Sequence, residues 1–533
     1  MPILGNEDGR WEHLIQSAAV VAHEDRCCLN FSCAVCMFGG FPIITKYLKR
    51  IFMLLKLSKN AFVRQYGNFT YVLQQIKNYD QMFMDAEVFM RWIGREPMEK
   101  SEILQNICGV YAGSDAVEIA RDFDAFIAPL IDAKVIIVGE TAESIEMQEE
   151  SFSYDVENPK TMDAHIIKPE EMVAGPVTQD VLEAYFAEHP TIFGLQIDIT
   201  QACTERCVHC YRPEYNPVFL PLVQIKKVIG EFRSQGGIRL TLSGGECMLH
   251  PDFDEIIRYA RTQDLIVSIL SNLTLCSDEK IKLLKEAEAT VQVSLYSMDP
   301  TIHDAITKRP GSFEETKAAI EKLRASQIPC RIACPTMKSN FKGYLDVLEY
   351  ARSLKMDAKT DFIIMGKMDC DTSNLACRLD LQETRCILED IVFKAVPVNR
   401  EYFDPAKKET VDEEWANRKV CGACVSSICL DATGFYFPCA GFAGVKLGSC
   451  YEHDLKWIWN ESPETKRIRA VCGKDFPKCL HCSDRDYCSV CMCRNFNETG
   501  DIFTPAQHFC DVAKLNHQIV DDAQEKRLAN MKR

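Results

Sequence analysis

The sequence predicts an α/β protein built on a partial (β/α)6 barrel, with a small α+β module before it and a cysteine-rich extension after it. Three observations carry this expectation. From about 190 to 400, six short apolar runs alternate with helical patterns, the signature of parallel βα units. Between 58 and 140, two alternating segments precede amphipathic helices. Cysteine makes up 27 of the 533 residues and dominates the chain from about 415.

Composition narrows the class. Hydrophobic residues are 47% and charged residues 26% of the chain, values of a soluble globular protein of two or three domains. A net charge of -16 opposes nucleic acid, whose phosphates it would repel. In a chain this long that reads as lacking a signal peptide, clustered cysteines point to metal or iron–sulfur binding in a reducing cytoplasm rather than to disulfides. The longest apolar stretch, Met37 to Leu57, is broken by Lys46, Lys49 and Arg50, so no membrane span is expected.

The elements follow in order. Residues 1–57 hold Cys27, Cys28, Cys33 and Cys36 and a basic apolar segment of unknown role. In 58–140, Val63–Val72 and Leu73–Met84 read as two strands joined near Gly67 or Asn78. Asp85 is placed to cap a helix running to Trp92, and helices are expected over Lys100–Tyr111 and Asp115–Ala133. Residues 141–189 begin with nine acids against two lysines up to position 172, a solvated linker. In 190–400 the expected barrel strands are Gly194–Thr200, Ile238–Leu242, Ile266–Leu270, Thr290–Leu295, Arg331–Pro335 and Asp361–Met365. Residues 401–515 form the cysteine-rich extension, sparse in regular structure, and 516–533 a tail.

Cys203, Cys207 and Cys210 stand as Cys-x3-Cys-x2-Cys directly after the first barrel strand, where α/β folds place their chemistry. Three thiolates on one loop can hold three irons of a [4Fe–4S] cube and leave the fourth open to a cofactor. With His209 the same cysteines would also satisfy zinc. Ser243-Gly244-Gly245-Glu246 follows the second strand, with glycines for close approach and a carboxylate for an ammonium group.

Together these motifs resemble the radical S-adenosylmethionine (radical SAM) enzymes. The resemblance implies that Gly244, Gly245 and Glu246 hold the methionine amino group. It also implies that Asn272 and Ser294, after the third and fourth strands, contact the cofactor's carboxylate and ribose. Tyr211 is the family's aromatic after the last cysteine. The implied chemistry is one-electron cleavage of S-adenosylmethionine to a 5′-deoxyadenosyl radical that abstracts hydrogen from an unactivated carbon. His303-Asp304 through Gly311-Ser312-Phe313 also matches, without a clear role. Arg331 and Asp361 are candidates to face substrate on strand position alone.

The later cysteines resemble the SPASM extension of peptide-modifying radical SAM enzymes, which holds two auxiliary [4Fe–4S] clusters. One set would be Cys421, Cys424, Cys439 and either Cys491 or Cys493, because the position expected for the fourth ligand is Met492. The other would be Cys479, Cys482, Cys488 and Cys510. Cys429 is a spare. Zinc knuckles are the alternative. Residues 58–140 resemble the PqqD-like, winged-helix-like recognition element of ribosomal-peptide maturases, which binds a leader peptide by strand addition. Eight bases against twelve acids there disfavour a DNA-binding winged helix.

The resemblance implies a maturase that binds a precursor peptide by its leader and forms thioether crosslinks from cysteine sulfur to a carbon of an acceptor residue. Flavodoxin or ferredoxin would donate electrons. Carbon–carbon crosslinking, epimerisation or formylglycine formation are alternative reactions, and a non-catalytic cluster-bearing peptide scaffold is the alternative outside enzymes.

Overall fold

The computed structural model describes residues 53–76, 79–111, 113–152, 179–394, 396–397 and 412–531. Cys27, Cys28, Cys33 and Cys36, and the acidic run beyond residue 152, lie outside them. The described residues fall into two compact units, divided at Ala61/Phe62, Met84/Asp85 and Glu150/Ser151. The first six strands are β1 (Leu54–Leu57), β2 (Ala61–Tyr66), β3 (Phe69–Gln74), β4 (Tyr79–Met84), β5 (Met98–Glu99) and β6 (Ile136–Gly139).

In the first unit β1 is the centre of an antiparallel sheet, with β5 on one side and β6 on the other. Helices Lys100–Val110 and Ala116–Asp132 belong to the same unit. Asp115 caps the second helix by accepting from the Val117 N–H at 2.9 Å. Asp85 does not cap the preceding helix: it takes the left-handed conformation (φ 55°) after β4, and a short helix starts at Glu87 behind Ala86. The acidic stretch begins as structure rather than as solvated linker. Thr141 and Ser144 form a capping box on helix Ala142–Glu146, and Lys56 pairs with Glu146 at 2.9 Å and with Glu149 at 3.2 Å.

The second unit opens with β2–β3–β4, three strands where two were expected, because Gly67 (φ 57°) turns the chain within the first expected strand; Asn78 lies outside the described residues. The expected 58–140 module is therefore shared between two units. This meander is fastened to the amino-terminal ends of the barrel strands. Arg64 Nε donates to Gly237 O at 2.9 Å, its Nη1 pairs with Asp264 at 3.0 Å, and Tyr66 OH donates to Gly236 O at 2.8 Å. Phe62, Tyr66, Tyr71 and Leu73 bury themselves with Ile238 and Ile266.

The barrel strands are β7 (Gly194–Thr200), β8 (Arg239–Gly244), β9 (Ile266–Leu270), β10 (Thr290–Ser294), β11 (Cys330–Pro335) and β12 (Asp357–Asp361). All are parallel, in the order 12-11-10-9-8-7, and the sheet stays open. Most of their Leu, Ile and Val side chains, among them Leu195, Ile197, Leu240, Ile269 and Val291, are buried in one core together with helices such as Leu222–Ser234 and Phe253–Thr262. The alternate residues Gln196, Thr241, Ser268 and Gln292 are only half-buried, so the opposite face is polar. The sixth strand begins four residues earlier than expected. The polar run Asp357-Ala358-Lys359-Thr360-Asp361 pairs at the edge through Arg331↔Asp357 to Pro335↔Asp361, and the apolar Phe362–Met365 follows it as irregular chain. Arg331 sits at the amino-terminal end of β11, ion-paired to Asp357, and Asp361 Oδ1 accepts from Ile363 N at 2.8 Å. Arg331 is thereby removed as a substrate-facing candidate.

The cysteine-rich extension is not sparse. β13 (Ser427–Leu430) pairs parallel with β7, and β14 (Phe435–Phe437) and β15 (Gly448–Ser449) continue the same sheet antiparallel. The expected tail is part of helix Gln507–Met531, whose Ile519 and Val520 are buried. Arg378 donates from Nε to Ile364 O at 2.8 Å and pairs with Glu498; both side chains are about nine-tenths buried. Glu498→Ala would strand this buried cation and is expected to cost about 3 kcal/mol in denaturant unfolding, whereas Glu498→Gln should cost less.

Candidate functional site

The cysteine loop leaves β7 at its carboxyl end and is held from three sides. From below, the extension of β8 is stitched to it: Gly245 N donates to Thr200 O at 2.9 Å and Glu246 N to Ala202 O at 2.8 Å. This approach requires glycine. A Cβ on Gly244 (φ 140°) would lie 2.3 Å from Thr200 O, and one on Gly245 2.2 Å from Ala202 O.

From the side, helix Pro300–Thr307 presents its last carbonyls to the loop. Arg206 N donates to Thr307 O and Val208 N to Ile306 O, each at 2.9 Å. The His303–Phe313 motif thereby gains a role. Asp304 accepts from Gly311 N, Ser312 Oγ and Phe313 N at 2.6, 3.0 and 2.9 Å, which locks the helix end that carries the loop.

From above come the expected polar residues. Asn272 Nδ2 donates to Thr204 Oγ1 at 2.8 Å and lies 3.9 Å from Cys203 Sγ. Thr204 and Thr274 hydroxyls are 2.9 Å apart, and Thr274 N donates to Asn272 Oδ1 at 3.1 Å. Tyr296 OH reaches Cys207 Sγ at 3.7 Å and lies beside Ser294. Ser294 therefore meets the loop through Tyr296. Glu205, Thr204 and Tyr296 were not singled out from sequence; Tyr296, second after a strand end, offered the one local signal.

Glu246 is fully buried, and its carboxylate is engaged by the protein. Oε1 accepts from Met248 N at 2.9 Å and from Ser271 Oγ at 2.8 Å; Oε2 accepts from Asn272 N at 2.8 Å. It ties the β8 loop to the β9 loop. Tyr211 is packed with Asp198 and Arg212, themselves a buried ion pair at 3.0 Å, and its carbonyl accepts from Met368 N.

The electrostatics favour a cation. Burial pushes the Cys203 thiol up to about 12 and Cys207 well above the ordinary thiol range, with Glu205 adding to both and Glu246 to Cys203. Burial raises Glu205 to about 7, and the Cys207 thiol donates to it at 3.2 Å. Without iron these groups are neutral thiols; binding iron would deprotonate them. Among the described residues no three His, Cys, Asp or Glu side chains converge on one point, as a single zinc ion would require. His209 is buried edge-on to Tyr296 with its rings 5.2 Å apart.

His303 packs on the other side of Tyr296 and accepts from the Tyr296 N–H at 3.3 Å. Burial lowers it from 6.5 to about 4, so the fold holds it neutral while the unfolded chain binds the proton first. Its stability contribution is full above pH 6.5 and is lost as pH falls towards 4, by about 3 kcal/mol at most. Denaturant midpoints between pH 7.5 and 4.5 should therefore fall more steeply for the native chain than for His303→Gln.

The remaining cysteines form two groups. Cys479, Cys482, Cys488 and Cys510 line one cavity of about 120 Å³. Cys421, Cys424 and Cys439 lie together, and Cys493 reaches both Cys439 and Cys491. Met492 is buried, and Cys491 lines the cavity of Cys479, Cys482, Cys488 and Cys510 as well as neighbouring Cys421. Cys429 lies on β13 with its thiol against Leu430 O.

Comparison with known proteins follows this geometry. Residues 197–351 match the family model described as the Radical SAM superfamily. The chain is 28% identical over 326 residues to the AdoMet-dependent heme synthase of Methanosarcina barkeri, covering 57% of this chain and 92% of that protein. It is 26% identical over 350 residues to the antilisterial bacteriocin subtilosin biosynthesis protein AlbA of Bacillus subtilis, covering 63% of this chain and 74% of that protein. The crystal structure of Streptococcus suis SuiB bound to precursor peptide SuiA superposes with a TM-score of 0.54 at 14% identity, over 84% of this chain and 98% of that one. The chain therefore carries a radical SAM domain related to those of peptide maturases, and that superfamily uses a [4Fe–4S] cluster and S-adenosylmethionine. Among the described residues no helix is long and apolar enough to cross a membrane.

Proposed function

We propose that the protein is a maturase that forms thioether crosslinks in a ribosomally made peptide. The observation that carries the reading is the cysteine loop held against the β8, β9 and β10 loop ends, joined through one sheet to two further cysteine groups. Cys203, Cys207 and Cys210 would hold the first cluster, and the cavity cysteines with the Cys439 group two auxiliary clusters. When bound, the cluster and S-adenosylmethionine supply a carbon radical able to take hydrogen from an unactivated carbon. The chain does the rest. Gly244 and Gly245 offer backbone beside the loop, Asn272 and Tyr296 orient its sulfurs, and Glu246 fixes the floor. Gln196, Thr241 and Gln292 give a polar face suited to peptide amides. For the leader, β4 is an outer strand of the β2–β3–β4 sheet among the described residues, and a leader would bind there by strand addition. A ferredoxin or flavodoxin would supply electrons.

The match to AlbA supports peptide modification; the heme synthase match supports a second reading, heme formation. An anaerobic assay with S-adenosylmethionine, reductant and a small cysteine-containing peptide decides. Loss of two hydrogens per crosslink with a thiol blocked to alkylation is the expected result. Loss of two hydrogens with thiols free would mean carbon–carbon closure, and an unchanged mass epimerisation. Absence of 5′-deoxyadenosine would leave the scaffold reading.

A further inference from the structure

Arg494 lies on helix Met492–Thr499 and is 5% exposed. Its side chain lines the same cavity as Cys479, Cys482, Cys488 and Cys510. The guanidinium donates to Ser489 O, lies beside Cys491, a cysteine that lines this cavity and also neighbours Cys421 and Cys493, and sits 4.3 Å over the Phe509 ring. Phe509 is itself a wall of the cavity and precedes Cys510. One buried guanidinium thus stands between the two cysteine groups, held by a carbonyl and a ring.

We propose that Arg494 sets the reduction potential of the cluster held by Cys479, Cys482, Cys488 and Cys510. This rests on the assignment of an auxiliary cluster to those cysteines. One-electron reduction adds a negative charge to the cube and moves no atoms, so a fixed cation beside it stabilises the reduced form and raises the potential. Burial leaves the charge unscreened by salt. The other cations at the cavity are weaker in this respect. Lys478 is exposed, and Arg485 is paired with Asp412 at 2.6 Å and Asp486 at 3.8 Å. Arg494 also lies beside Cys491, so the same charge acts on the second group. Arg494 is a positioning residue here, since it need not touch substrate.

The test is a mediated redox titration of full-length reconstituted protein carrying Cys207→Ala, so that the cluster of the first loop does not contribute. Arg494→Gln should keep its iron and shift the cavity cluster negative by about 59 mV, a tenfold change in the reduced-to-oxidised ratio at fixed poise. Arg494→Lys, which keeps the charge, should stay within threefold of the parent. Equal potentials for parent and Arg494→Gln at equal iron content overturn the proposal. If Arg494→Gln does not retain the cluster, Arg494→Lys decides: an unchanged potential supports the charge effect, and a tenfold negative shift overturns it. If Cys479→Ala leaves the iron content unchanged, the cluster assignment itself fails, and the proposal with it.

Discussion

Cys207→Ala is expected to lower 5′-deoxyadenosine formation by at least about a thousandfold, equivalent to about 4 kcal/mol of lost barrier reduction, while the protein stays folded. Cys207 is the middle cysteine of the loop, and its neighbours on both sides are clamped by carbonyls of helix Pro300–Thr307. No other sulfur can slide into its place without breaking the Arg206 and Val208 hydrogen bonds. Its side chain bonds Glu205 at 3.2 Å, contacts Tyr296 at 3.7 Å and packs at the edge of the small cluster of Tyr296, Ile306 and Met337, so alanine leaves the main core intact. The checks are iron content, which should fall by one cube, circular dichroism, which should not change, and cofactor turnover. Full turnover with unchanged iron would sink the assignment of the loop as the cluster site.

Gly245→Ala is expected to cost at least about 4 kcal/mol, the range reserved for a named structural failure. The added Cβ would meet Ala202 O at 2.2 Å, Ala202 C at 2.6 Å and Gln201 O at 2.7 Å. All three are backbone atoms of the segment leading into Cys203, so no rotamer change relieves the clash. The stitching bonds from Gly245 and Glu246 would open, and the loop would lose its floor. Denaturant unfolding reads the loss. A chain with native stability and native iron content would show that the β8 extension is not what seats the loop. Gly311→Ala is the control, since nothing lies within 4 Å of its Cβ, although its φ of 84° carries a smaller penalty of its own.

Much of this was legible before any coordinates. Gly194–Thr200 and Ile266–Leu270 are apolar, bounded runs, and they are strands with those limits. The sixth strand was misplaced because an edge strand need bury only alternate residues: Ala358 and Thr360 are buried, while Asp357, Lys359 and Asp361 are not. The Cys203 loop could be read from spacing, since it lies on one short segment, whereas the two later sets, each drawn from separated segments, were implied by the SPASM resemblance. The choice between Cys491 and Cys493 could not be read, because Met492 occupies the expected register, Cys493 lies by Cys439, and Cys491 lies by Cys421. The seating of the loop was hidden for another reason. Thr204, Thr274 and Tyr296 act through contacts between residues tens of positions apart, and such pairs leave no local pattern. Glu246 shows the reverse: its motif was plain, but that its carboxylate also accepts from Met248, Ser271 and Asn272 was not.

The pairing of β13 with β7 has a practical consequence for anyone cutting the chain. Ser427–Leu430 bonds to Gly194–Ile197 along its whole length, so the boundary near residue 400 runs beside a continuous ladder, not across a tether. A fragment ending there would expose the backbone of β7, the strand that leads into Cys203, as a raw edge ready to recruit foreign strands. Such a fragment is a poor donor for chimeras, and a swap of catalytic cores between related enzymes must carry the extension along.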